Sequence, residues 1–146
     1  MANWNGKART NYVRVKDYDA LLKAVEDLPV EVEPHYKAVN FVTFNAPDND
    51  TGDFYMQYVD DDGEEHHWSW VEDIVPHLAE GQVLILMVIG SEKLRYMTGY
   101  AEAYAWDGRR TQINIDEIYS RAAAEFGVKQ VDTARCTYQD LPLSEQ

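Results

Sequence analysis

Residues 60–70 read DDDGEEHHWSW, which sets five carboxylates, two histidines and two tryptophans within eleven positions. Four chemistries use such residues. Alternating acids bind calcium, histidines bind transition metals, carboxylates stand in for phosphates before a basic groove, and tryptophans anchor a partner. An EF-hand loop needs acids at alternate positions, Gly at position six and Glu at position twelve. Counted from Asp48, DNDTGD brings Gly52 to position five, and a loop with Gly63 at position six opens on Tyr58. Neither register fits. His66 and His67 are adjacent, and strand neighbours point to opposite faces, so they do not share an ion. His35 and His77 have no histidine four positions away. The residues thus predict no metal site and no cofactor.

Nucleophilic chemistry fares no better. Cys136 stands alone in TARCTYQD, and no G-x-S-x-G elbow surrounds Ser69. Neither a G-x-G-x-x-G nor a G-x-x-x-x-G-K-[ST] phosphate loop occurs. The expectation is a protein without catalytic residues, although a carboxylate–histidine site needs no linear motif and stays open as an alternative. A second arrangement with chemical content lies in YAEAYAW. Strand alternation puts Tyr100, Glu102, Tyr104 and Trp106 on one face, a carboxylate among aromatic rings that suits a small molecule or a cation. The plainer reading of that face is a core with Glu102 near its edge.

Charge separates these options. The net charge is -13, and it is uneven. Residues 1–24 carry five Lys/Arg against two Asp, whereas residues 25–80 carry fifteen Asp/Glu against Lys37 alone. Residues 81–146 hold nine acids and seven bases. Such a field repels nucleic acid, whose phosphates need Lys and Arg, and steers basic partners inward. The candidate partner surface is therefore Asp48, Asp50, Asp53, Asp60, Asp61, Asp62, Glu64 and Glu65, with Trp68 and Trp70 as apolar anchors. The plainer reading is a solvated hairpin tip whose charges block edge pairing.

These residues must be held by something. A chain of 146 residues with 45% hydrophobic content suits one domain, residues 1–146, large enough to fold without staples. One cysteine excludes an internal disulfide. The N-terminal stretch has no apolar signal region, and the apolar run Val83–Ile89 is far shorter than the ~20 residues of a bilayer span. A cytoplasmic protein is expected, with no membrane contact.

Asp17 caps a helix whose face is Tyr18, Leu21, Leu22, Val25 and Leu28, stopped by Pro29. NYVRV, Val30–Val32, Val39–Phe44 and FYMQYV read as strands. Asp62-Gly63 signals a two-residue hairpin turn, which would set Asp61 opposite Glu64 and Asp60 opposite Glu65. Such like-charge pairs oppose folding by a few tenths to about 1 kcal/mol each. Ser69 and Glu72 form a capping box before Val71, Ile74, Val75 and Leu78, with Pro76 dividing the helix and Gly81 closing it. The plan recurs 45 positions on: Asp107-Gly108, then Asn114 with Glu117, then a face of Ile118, Tyr119, Ala122, Ala123 and Phe126 closed by Gly127. In that second hairpin a two-residue turn sets Tyr100, Glu102, Tyr104 and Trp106 against Arg109, Thr111, Ile113 and Ile115. The class is α+β: a largely antiparallel sheet with about three helices packed on one face, and a repeated hairpin–helix unit. The strand VLILMVI suits a buried centre or the seam of a homodimer.

Two stretches, TNYVRVKD at Thr10–Asp17 and LAEGQVLILMVIGSEKLRYMTGYAEAY at Leu78–Tyr104, cover about a quarter of the chain. They resemble segments of small acidic proteins carried by bacterial plasmids, phages and integrative elements. The resemblance implies a mobile-element setting and assigns no catalytic residue. Small acidic proteins in that setting often blunt host defence, some by imitating DNA. Together with the acidic middle third, it points to a non-enzymatic inhibitor of a nucleic-acid-handling defence complex.

Overall fold

A computed structural model describes residues 4–47, 54–92, 96–131 and 134. The fold is α+β with a mostly antiparallel sheet, as expected. Its main sheet is built from β1 (Trp4–Thr10), β2 (Val13–Arg14), β3 (Glu31–His35), β4 (Ala38–Asn45), β7 (Val83–Glu92), β8 (Tyr96–Ala105) and β9 (Arg110–Asn114). β5 (Gln57–Val59) and β6 (Glu65–His67) form a separate two-stranded ribbon. The main order is β3-β4-β1-β7-β8-β9, with β2 beside β4. No helix among the described residues is long and apolar enough to cross a membrane.

Helix α1 (Tyr18–Val25) begins as its sequence demands, with Asp17 Oδ1 accepting the Ala20 N–H at 3.2 Å. Leu21 and Val25 enter the core. The second helical segment is divided where Pro76 requires. A π-helical turn, Trp70–Ile74, passes into a 3₁₀ turn, Val75–His77, that takes the proline in its first positions. Ser69 caps it as expected by accepting the Glu72 N–H at 3.0 Å, but the reciprocal acceptor of the Ser69 N–H is Asp73, not Glu72. Helix α2 (Glu117–Phe126) starts two residues later than Asn114 would set it, although Glu117 still reaches back to the Asn114 N–H at 3.2 Å.

β1 was not legible in WNGKART, because among its residues of described burial, 6–10, only Ala8 and Thr10 are buried. It nevertheless occupies the centre of the sheet, paired with β7 from Trp4↔Glu92 to Thr10↔Leu86. The strand then bends toward β4, and side chains add to the backbone bonds at the bend, where the Asn11 N–H still donates to the Ile85 carbonyl at 3.1 Å. Asn11 accepts the Ile85 N–H at 2.7 Å and donates to the Val83 carbonyl at 3.1 Å. Thr10 Oγ1 accepts the Phe44 N–H at 2.8 Å, and the buried Thr43 hydroxyl donates to the Thr10 carbonyl at 2.7 Å.

The sheet has two unlike faces. Ala8, Val42, Phe44, Leu84, Leu86, Val88 and Tyr104 lie in the core with α1, Ile74, Val75 and Leu78. The opposite face carries Lys7 and Arg9 on β1 and then Val83, Met87 and Ile89 on β7, all exposed. Helix α2 does not cover it. The expected buried face of Ile118, Tyr119, Ala122, Ala123 and Phe126 is not buried, and α2 has no buried residue at all. It follows the edge strand β9 directly, which leaves it off the core side.

Candidate functional site

Both hairpins turn differently from the two-residue expectation, and in the same way. In the first, Gln57↔His67, Tyr58↔His66 and Val59↔Glu65 are paired, and the Asp60 N–H donates to the Glu64 carbonyl at 2.9 Å. The loop is therefore three residues, Asp61–Gly63, with Gly63 at φ 83 and its N–H on the Asp60 carbonyl. In the second, the Ala105 N–H donates to Arg109, Gly108 donates to Ala105, and Gly108 has φ 94. The bonds repeat at an offset of 45, so the recurrence holds for the turns. Both registers shift by one residue as a result. Asp61 does not face Glu64 and Asp60 does not face Glu65.

The reason lies in Asp60. Its Oδ1 accepts the N–H groups of Asp62 and Glu64, both at 2.9 Å, and its Oδ2 sits 2.8 Å from His66 Nε2. A carboxylate at the first position of the wider turn meets three partners, which a two-residue turn would deny it. The His66 contact, followed by the Glu64 and Asp62 amides, holds the Asp60 carboxyl below its ordinary range. Tyr58 stacks on the His66 ring with centroids 5.1 Å apart. Around this fixed turn Asp61, Asp62, Glu64 and Glu65 are exposed. Asp48, Asp50 and Asp53 lie outside the described residues.

The register also assembles a trio that the two-residue turn hid. Asp60, Glu64 and His66 each bring one ligand atom within 4.8 Å of the others. Those donors suit a divalent cation, yet both Asp60 oxygens already serve the turn and His66. No metal is assigned to them.

Trp68 and Trp70 are not surface anchors. They are 4% and 2% exposed and belong to the core. Trp70 packs edge-on against Phe44, Phe54 and Trp68, with centroids 4.9 to 5.8 Å away. Trp68 donates its indole N–H to the Tyr55 carbonyl. Two large rings gain more from burial than from water, and the ribbon is tied to the sheet through them.

The second candidate face keeps its members but changes its partners. Tyr104 pairs with Arg110, Glu102 with Gln112, and Tyr100 with Asn114, where Thr111, Ile113 and Ile115 respectively were expected. The slip brings Arg110 onto the carboxylate: its guanidinium lies 3.3 Å from Glu102, whose side chain is only 14% exposed. The buried Tyr104 hydroxyl donates to the same carboxylate. Burial, and then the adjacent negative charge, push the Tyr104 hydroxyl far above its ordinary pKa. Tyr100 and Trp106 are half-buried against the core, and Arg109 lies over the Trp106 ring. Glu102, Tyr104 and Arg110 line a cavity of about 360 Å³ with Phe54, Met56 and Trp70. The Trp70 indole N–H has no hydrogen-bond partner among the described residues.

Neither hairpin places a serine or cysteine nucleophile beside a base among the described residues. No protein-family model, curated protein or solved structure matches the chain.

Proposed function

We propose that this chain is a non-enzymatic binding protein that offers carboxylates to a basic, nucleic-acid-handling partner. The observation that supports this reading is the β5–β6 tip. Asp61, Asp62, Glu64 and Glu65 are exposed there on a turn that Asp60 holds. Among the described residues no Lys or Arg pairs with them, and the only ion-pair partners in the ribbon are His66 and His67. An approaching guanidinium or ammonium group breaks no Lys or Arg pair among the described residues. The favoured partner class is a host defence complex with a phosphate-binding groove, the setting that the Thr10–Asp17 and Leu78–Tyr104 segments suggest. With both tryptophans in the core, charge carries more of the encounter than the composition implied. Such binding is fast and sensitive to salt.

The test leaves Asp60 in place, because its removal would undo the turn. Asp61, Asp62, Glu64 and Glu65 are replaced by Asn or Gln, and both proteins are used to capture partners from bacterial lysate. The expected result is recovery of a basic nucleic-acid-binding protein that is lost with added salt, with competing duplex DNA and in the variant. Equal recovery by the folded variant would sink the proposal.

A second reading rests on the cavity at Glu102. A mostly buried carboxylate, a buried hydroxyl and an aromatic wall suit a small aromatic or cationic ligand. A panel of amines and nucleobases should then raise the melting temperature of the wild type and leave Glu102→Gln unmoved. An absence of any shift in the wild type removes this reading.

A further inference from the structure

The carboxylate in the Glu102 cavity already has its counter-charge. The Arg110 guanidinium lies 3.3 Å from Glu102 Oε1, and the Tyr104 hydroxyl donates to Glu102 Oε2. Arg110 is itself held in place, over the Tyr104 ring at 5.8 Å and with Nη2 donating to Gln112. The two charged groups differ in depth. The Glu102 side chain is 14% exposed and that of Arg110 47%, so the carboxylate lies inside and the guanidinium at the mouth. A ligand ammonium drawn toward Glu102 would meet the Arg110 charge beside it. It would gain little from a carboxylate that is already neutralised.

What the pair leaves unused is hydrogen-bonding capacity of both kinds. An ionised carboxylate has about four acceptor positions, and Tyr104 and Arg110 do not fill them. A guanidinium carries several N–H donors in one plane, of which only those on Nη2 face Gln112 and Glu102. Acceptors and donors thus stand side by side at one wall. The rest of the lining is largely apolar and aromatic, with Phe54, Met56, Trp70, Val71 and Leu86. Its volume of about 360 Å³ is that of a small-ligand pocket.

We infer that this cavity takes a neutral, flat heterocycle whose edge carries hydrogen-bond donors beside an acceptor, as the lactam edge of guanine does. The ligand's N–H groups donate to Glu102, its carbonyl accepts from Arg110, and its ring lies against the aromatic wall. Selectivity follows from the groups left unpaired by a wrong ligand. A ring without the donors covers Glu102 and takes its access to water without replacing it. This inference rests on the reading of the Glu102 cavity as a ligand site, and narrows that site's ligands from amines and nucleobases to the second.

The experiment is titration calorimetry of the whole chain with guanosine, caffeine and benzylamine. It is run in about 0.15 M salt, which screens the long-range pull of the -13 net charge on a cation. Caffeine is flat but has no N–H to give, and benzylamine sets an ammonium beside an aromatic ring. Guanosine should bind at least tenfold more tightly than either. Two variants locate the contacts. Glu102→Gln should weaken guanosine at least tenfold. Arg110→Met strips the carboxylate of its counter-charge, so it should weaken guanosine and bind benzylamine more tightly than wild type does. Benzylamine or caffeine binding as tightly as guanosine overturns this inference and leaves the cavity reading standing. Binding of none of the three removes both. Guanosine bound equally by wild type and by the folded variants overturns the inference as well, because its edge then meets neither group. The wild-type titrations decide alone if neither variant folds.

Discussion

Trp70→Ala is expected to lose about 3–5 kcal/mol of stability in a urea melt, the range for deleting a large aromatic from a core. That is a large part of the 5–15 kcal/mol that holds a typical domain. The side chain is 2% exposed and touches three other aromatic rings, so its removal leaves a void that rigid neighbours fill poorly. Trp70→Phe separates packing from polarity. It keeps an aromatic ring and removes an indole N–H that has no partner among the described residues, so loss of volume and relief of a buried donor offset each other. It should stay within about 1.5 kcal/mol of wild type. Were Trp70 an anchor for a partner instead, alanine would leave the melt unchanged and weaken only binding.

Thr10→Val should cost about 1–3 kcal/mol although it keeps the side chain's shape, because the Phe44 N–H would be buried without an acceptor. Thr10→Ser restores the hydroxyl and should recover most of the loss. If valine and serine melt alike, the hydroxyl contributes nothing and the bend is held by other contacts. The Asn11 side chain, bonded on both sides of Leu84, then becomes the candidate.

These two sites also show what was legible beforehand. Helix α1, the division at Pro76, the Ser69 cap and the strands of β4, β7, β8 and β9 followed from periodicity and stop signals. The hairpins were found but misregistered. Asp-Gly serves two-residue and three-residue turns alike, and the choice fell to Asp60, whose hydrogen bonds exist only once the chain has turned. A slip of one residue reassigns every cross-strand pair, and so Arg110 rather than Arg109 meets the Glu102 face. β1 escaped notice because a central strand with Ala8 and Thr10 inside and Lys7 and Arg9 outside has little apolar contrast. Trp68 and Trp70 looked available because aromatic residues beside charge are common at interfaces. Only the placement of Phe44, on a distant strand, and of Phe54 shows what Trp70 packs against.

The position of β1 bears on how the protein is made. Every β1–β7 pair joins residues 76 to 88 positions apart, from Thr10↔Leu86 to Trp4↔Glu92. Closing so long a stretch of chain is slow compared with closing the β8–β9 hairpin. A ribosome delivers the N-terminal strand first, yet that strand cannot complete its place in the sheet until Glu92 has emerged. Through that interval the edge of β1 that will meet β7 is unfilled, and β7, which closes it, also carries the longest apolar run in the protein. For a newly synthesised chain, the arrival of that one segment is the step that commits the sheet.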